Sequence, residues 1–317
     1  MGHDFRFALR RIRLRPVHSL VIALTLGLGI GSALAVFAVV DAVLLRPLPY
    51  PEPGQLVRIT QTIPAPGLPE LGFSDVGYRR LVSDGHSLSA VAAWGTGFTN
   101  LIRGDGSRRL IVAQVSASLF DVLRVAPALG RRFTAGEDLP NGPRLLVLSD
   151  QLWRSEFNAD PAVIGTVVNL EGEPSTIVGV LPPGITFGSR QIAAWEPLGL
   201  DPAGLNPFNH SYSVVGRLKP GTGLEEARRD LTLPVRAVGR EFPGPHAGSA
   251  LDPSGYLAQV RPLADSVVGD VRPVVALLLA GVLTLLLLTC ANVANLQLAA
   301  VIVRGEELAV RAALGAT

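Results

Sequence analysis

The chain has 317 residues, about two domains' worth. Hydrophobic residues make up 48%, charged residues only 17%, and mean hydropathy is +0.37, which excludes a disordered chain, a coiled coil and a nucleic-acid-binding arm and turns attention to membrane segments. A net charge of +2 says little about partners, and the single cysteine, Cys290, excludes a disulfide framework or a multi-cysteine metal site.

In chain order, five arginines (Arg6, Arg10, Arg11, Arg13, Arg15) precede an uncharged run of 22 residues from Ser19 to Val40. As a helix this run is roughly 33 Å long, enough for a hydrocarbon core of ~30 Å. A cleaved signal peptide is the alternative, with Ala33-Leu34-Ala35 as its cleavage site. The apolar run, however, continues past Ala35 to Leu45, longer than the ~7–15 residues of a signal sequence. A second uncharged run of 30 residues spans Val274 to Val303 and would be roughly 45 Å long, so it should tilt or project beyond the bilayer. The arginine asymmetry places the N-terminus in the cytoplasm, 47–272 outside, and the C-terminal end inside again. The expected divisions are a cytoplasmic segment 1–18, membrane helix 19–45, outer domain 47–272, membrane helix 273–303 and a cytoplasmic segment 304–317.

Within the outer domain, Pro47, Pro49, Pro51 and Pro53 start a loop, and 55–62 reads as a strand. Ser74 can cap a short helix, Asp75 to Val82. Residues 88–103 and 109–116 read as strands, Leu119 to Leu123 as a short helix, 144–148 as a strand and Ser149 as the cap of a helix through Phe157. A hairpin follows around Glu171-Gly172-Glu173, and 197–210, rich in Pro, Gly and Asn, reads as a connection. Residues 211–218 form a strand, and Thr222-Gly223-Leu224-Glu225 reads as a capping box for a helix that Pro234 should kink. Residues 256–263 form the last strand. The pattern is β-α-β-β, an insertion at about 117–205, then β-α-β. It predicts an α+β membrane protein in which two transmembrane helices flank a ferredoxin-like domain with an inserted subdomain.

Recognisable catalytic chemistry is missing. Lys219 is the only lysine and is followed by Pro220, so the chain carries no Gly-Lys-Ser/Thr phosphate loop. Its five histidines have no metal-ligand spacing, and we expect no metal site and no enzyme activity in this chain. Gly27, Gly31 and Ala35 recur every four residues, a stripe that lets another helix approach closely; ordinary glycine enrichment of membrane helices is the plainer reading. Thr289, Asn292 and Asn295 fall within an arc of ~120° and should hydrogen-bond across helices, a substrate pathway being the alternative. Glu307 and Arg311 stand in the favourable i, i+4 order for a helical ion pair, or are simply a solvated helix end.

Several strings together resemble a known family. CANVANLQLA at 290–299 and RGEELAVRAALGA at 304–316 resemble the second helix and coupling segment of FtsX-type permeases. DFRFALRRIRLRP at 4–16, VVDAVLLRPLPYPEPGQLVRI at 39–59, VSASLFDVLRVAPALGRRF at 115–133 and VGRLKPGTGLEEARRDL at 215–231 resemble the MacB-like periplasmic core domain and its lead-in, with a flavour of the duplicated acidobacterial permeases. The resemblance implies a permease subunit of a mechanotransmission-type ABC transporter in the inner membrane, multi-pass, with a porter-like outer domain. It implies as partners a cytoplasmic ABC ATPase dimer, which would hold the ATP and magnesium, a second permease copy in a homodimer or pseudo-dimer, and the lipid bilayer, but no nucleic acid. Relatives export peptides, drugs or lipoproteins. Arg304, Glu307, Arg311 and Gly315 would then be ATPase-coupling residues, on a short helix that Gly315 ends. Family permeases have four membrane helices, so ending at Thr317 suggests a truncated reading frame or a fragment. A membrane-anchored binding or sensory module without transport is the alternative function.

Overall fold

The computed structural model describes residues 16–41, 48–62, 70–104, 106–185, 191–201, 203–243, 248, 252–268 and 272–313. The chain divides into two units, one made of its two ends (through Arg46 and from Val268) and the other of Pro47–Val267.

The first unit is a pair of helices in contact, α1 (Pro16–Val40) and α7 (Arg272–Ala313). Each is apolar all round over much of its length, as expected for a helix whose solvent is lipid. Leu20–Val40 and Pro273–Leu298 are long and apolar enough to cross a membrane. The 42 residues of α7 correspond to roughly 63 Å of unbroken helix. Residues 304–313, where the resemblance implies a short coupling helix, are helical and continuous with the second apolar helix.

The second unit contains β1 (Leu56–Thr62), α2 (Asp75–Asp84), β2 (Leu88–Arg103), β3 (Gly106–Val115), α3 (Leu119–Leu123), β4 (Leu129–Gly130), β5 (Leu145–Leu148) and α4 (Asp150–Phe157). It continues with β6 (Val167–Leu170), β7 (Glu173–Val180), β8 (Ala194–Pro197), β9 (Ser213–Leu218), α5 (Leu224–Glu241), β10 (Leu257–Pro262) and α6 (Leu263–Val268). All ten strands join one sheet in the order β10-β1-β9-β2-β3-β8-β5-β7-β4, with β6 against β2 and β7.

Strands β10-β1-β9-β2 are mutually antiparallel and, with α2 and α5, reproduce the ferredoxin-like order. Alternate residues point to opposite faces. Val57, Ile59, Val91, Ala93 and Val214 pack with Tyr78 and Leu81 of α2 and Leu231 and Val235 of α5. On the other face Leu56, Ala92 and Val215 pack with Leu119, Phe120, Val122 and Leu123 of α3. Because β3 pairs with β2, it reads from sequence as part of the sandwich. In the fold it lies outside the four-strand order and pairs on its far side with β8, so it joins the sandwich to the inserted segment. Strand β8, carrying the buried Trp195, was not legible in the sequence: four residues ending in proline present no alternation.

Two caps form as the sequence predicts, Ser74 accepting from the Gly77 N–H and Ser149 from the Leu152 N–H. The capping box at Thr222 does not form. Gly223 is the N-cap without a side-chain bond, and the Thr222 N–H is used in a turn to the Lys219 carbonyl. Helix α5 runs on through Pro234, which is buried. The exposed sheet edge is guarded at β10: Pro262 has no N–H, and the Ala258 N–H donates to Thr232 Oγ1.

Candidate functional site

In the helix pair the close approach is made at Gly29. A Cβ there would stand 2.8 Å from Cγ2 and Oγ1 of Thr289. Thr289 is buried, and its hydroxyl is satisfied by the Leu285 carbonyl one turn back. Gly27, Gly31 and Ala35 lie on exposed positions of α1, and a Cβ at Gly27 or Gly31 would touch nothing within 4 Å. Asn292 and Asn295 are exposed on α7, so Thr289 is parted from the two amides with which its spacing grouped it. Arg304, Glu307 and Arg311 fall on the last turns of α7; Gly315 lies outside the described residues.

In the outer domain three of the motif strings meet at Arg217. It is 1% exposed, on the α3 face of β9, in a strand whose other residues are Ser213, apolar residues and a glycine. Its Nε–H donates to the Val122 carbonyl (2.8 Å), Nη2 to the Pro51 carbonyl (3.0 Å) and Nη1 to the Glu52 carbonyl (3.3 Å). The Glu52 carboxylate lies 3.8 Å from Nη1 and pairs more closely with Arg124, the C-cap of α3. Burial lowers the pKa of Arg217, the neighbouring Arg124 lowers it further, and Glu52 opposes both. Glu52 and Arg124 both adopt left-handed backbone conformations (φ 49° and 53°), uncommon away from glycine. The node is not legible in the sequence, because an arginine in a strand looks like a solvent-facing residue until the opposite face is seen to be covered.

Other polar contacts hold the crossings between the sandwich and its insertion. Asp138 accepts from the Ala117 N–H and the Gly199 N–H, both at 2.8 Å, on the outgoing and returning strands of chain. Burial pushes its carboxyl upward while these backbone donors oppose the shift. Ser116 and Ser118 bond the backbone of β2 at Ala93 and Val91, and Asp75 holds the Asn206 N–H and the Asn209 amide.

An open cleft of about 510 Å³ lies largely within the insertion, lined among others by Gln114, Glu137, Asn141, Arg144 and Glu196. Burial raises the Glu196 carboxyl, and Arg144 opposes this. Glu137 is neutralised by Arg131. Among the described residues no group of three His, Cys, Asp or Glu side chains could hold a metal ion. Of the histidines, His86 is exposed and His210 sits in a loop, with Nδ1 3.2 Å from the Gly72 carbonyl.

The sequence profile of the MacB-like periplasmic core domain matches residues 19–233. A domain of a permease protein from Porphyromonas gingivalis is similar in structure, at 15% identity and a TM-score of 0.51, over 68% of this chain and 93% of that one. The extracellular domain of the noncanonic ABC-type transporter YknZ from Gram-positive bacteria aligns at 15% identity and TM-score 0.47, over 65% of this chain and 99% of that one. The periplasmic region of MacB from Actinobacillus actinomycetemcomitans aligns at 14% identity and TM-score 0.48, over 69% and 92%. No curated protein matches the chain. With the profile covering most of the chain, and with two apolar helices flanking an α+β domain of this topology, the chain belongs to the MacB-like periplasmic core domain family of ABC transporter permeases.

Proposed function

We propose that the chain is the permease subunit of a mechanotransmission-type ABC transporter. It passes motion generated by ATP hydrolysis in a separate cytoplasmic ATPase dimer to the outer domain, for export of a peptide, drug or lipoprotein. The observation that carries this reading is the profile match, which takes in the first apolar helix as well as most of the outer domain. The continuity of α7 supports it: one helix runs from Arg272 through the apolar stretch to Ala313, and a continuous helix moves as a unit. In this reading Arg304, Glu307, Arg311 and Gly315 contact the ATPase. Gly27, Gly31 and Ala35, with Asn292 and Asn295, face further helices or a second permease copy in the inner membrane. Polar amides in hydrocarbon gain from such partners.

The test is reconstitution of the chain with a cytoplasmic ABC ATPase. Co-purification and a rise in ATP hydrolysis on assembly are expected. An ATPase that neither binds nor responds, together with ligand binding by the outer domain, would leave a binding or sensory module instead.

A further inference from the structure

The loop that follows the first apolar helix is poorly equipped to hold itself. Pro49, Pro51 and Pro53 have no N–H to give, and its own backbone bonds include only short turns, Tyr50 N–H to the Leu48 carbonyl and Gln55 N–H to the Glu52 carbonyl, so its ties to the sheet come from side chains. Beside the partly buried Leu48, two such ties are present. The Tyr50 ring is buried with Leu56, Val122, Leu123 and Val215. The Arg217 fork takes the carbonyls of Pro51 and Glu52 and, with its third donor, the Val122 carbonyl at the end of α3. A lysine in this place would be a single point charge. The planar guanidinium joins two chain segments to β9 at once. The left-handed backbone at both Glu52 and Arg124, the two residues that pair with each other beside Arg217, is a conformation that persists only where its surroundings over-determine it.

We propose that Arg217 is a clasp that fastens the proline-rich loop after the first apolar helix to strand β9 and to helix α3, so that displacement of the loop is delivered to the ferredoxin-like sheet and to the start of the insertion together. The Glu52 carboxylate has two duties in this clasp. It binds Arg124 at the surface and offsets the buried charge of Arg217. The proposal rests on the transport reading only for the source of the displacement.

The test is amide hydrogen exchange on the full chain in detergent, comparing wild type with Arg217→Met and with the double exchange Glu52→Arg, Arg124→Glu. In Arg217→Met, amides 54–56 and 122–125 are expected to exchange about tenfold faster or more, with α5 and β10 within about twofold of wild type. The double exchange restores a surface ion pair but sets a cation against Arg217, so it should loosen the same loop. Three results would overturn the clasp: unchanged protection in Arg217→Met, an equal loss of protection through β1, β9 and β10, or wild-type protection in the double exchange, which would make the surface pair alone the anchor. Should Arg217→Met fail to fold, the double exchange decides, since both its positions are about half exposed. No ATPase enters these readouts, so failure of the clasp and failure of the transport reading are separable.

Discussion

Asp138 lies where the chain leaves the sandwich for its insertion and comes back, and its two oxygens take one N–H from each crossing. Asp138→Ala would leave both donors without that acceptor, at a cost of about 2–3 kcal/mol, whereas Asp138→Asn keeps one acceptor and should lose roughly half as much. Chemical denaturation of the full chain, followed by Trp fluorescence, checks the order. Glu137 carries a pH dependence of known sign. The Arg131 fork, helped by the N–H and hydroxyl of Thr134, brings its carboxyl from an ordinary 4.5 down to about 2. The folded value lies below the unfolded one, so the stabilisation is complete above pH 4.5 and disappears as pH falls toward 2. Melting midpoints of wild type and Glu137→Gln should therefore differ above pH 4.5 and converge near pH 2; parallel curves over that window would show that Glu137 contributes no linkage.

At the level of elements, the glycine of α1 that meets α7, Gly29, lies outside the Gly27, Gly31, Ala35 stripe. Gly29 is the position already occupied by Thr289, so Gly29→Leu should push α1 from α7 at about 1–3 kcal/mol, the usual cost of forced bulk in a packed contact. Cross-linking between cysteines placed in the two helices should fall in that variant and not in Gly27→Leu or Gly31→Leu. Those two should instead reduce cross-linking between copies or to further helices; if they leave it unchanged, the exposed stripe is ordinary glycine content. The last turns of α7 give a second test. Glu307→Arg and Arg311→Glu each break the i, i+4 order on an uninterrupted helix. They should lower stimulated ATP hydrolysis in a complex assembled with an ATPase while membrane insertion is retained. Co-purification and stimulation that both survive would exclude these residues as the contact.

For the whole molecule, we propose from the arginine asymmetry that 47–272 lies outside the cell membrane. Ser107 lies on exposed positions of β3, so a cysteine there should react with an impermeant thiol reagent in intact cells once any outer membrane is permeabilised. Labelling that requires lysis of the inner membrane would reverse the orientation. The same scale explains why one sheet can serve two lobes. Strand β2 is 16 residues long and pairs with β9 through its first half and with β3 over its second, so the sandwich and the insertion share a continuous hydrogen-bonded strand. Motion applied to β9 is thereby close to both.

From the sequence alone came the two apolar spans, the β-α-β…β-α-β order, the caps at Ser74 and Ser149 and the family. Each depends on local composition, on short periodicity or on strings read in place. The tertiary structure alone decided which glycine meets α7, that β3 pairs with β8 on its far side, that residues 304–313 continue α7, and that Thr222 caps nothing. These depend on which face of an element another element covers. Arg217 is the clearest case: its three carbonyl partners lie 95 and about 165 positions away in the chain, and an arginine becomes a buried fork only when α3 and the proline-rich loop close over the strand that carries it.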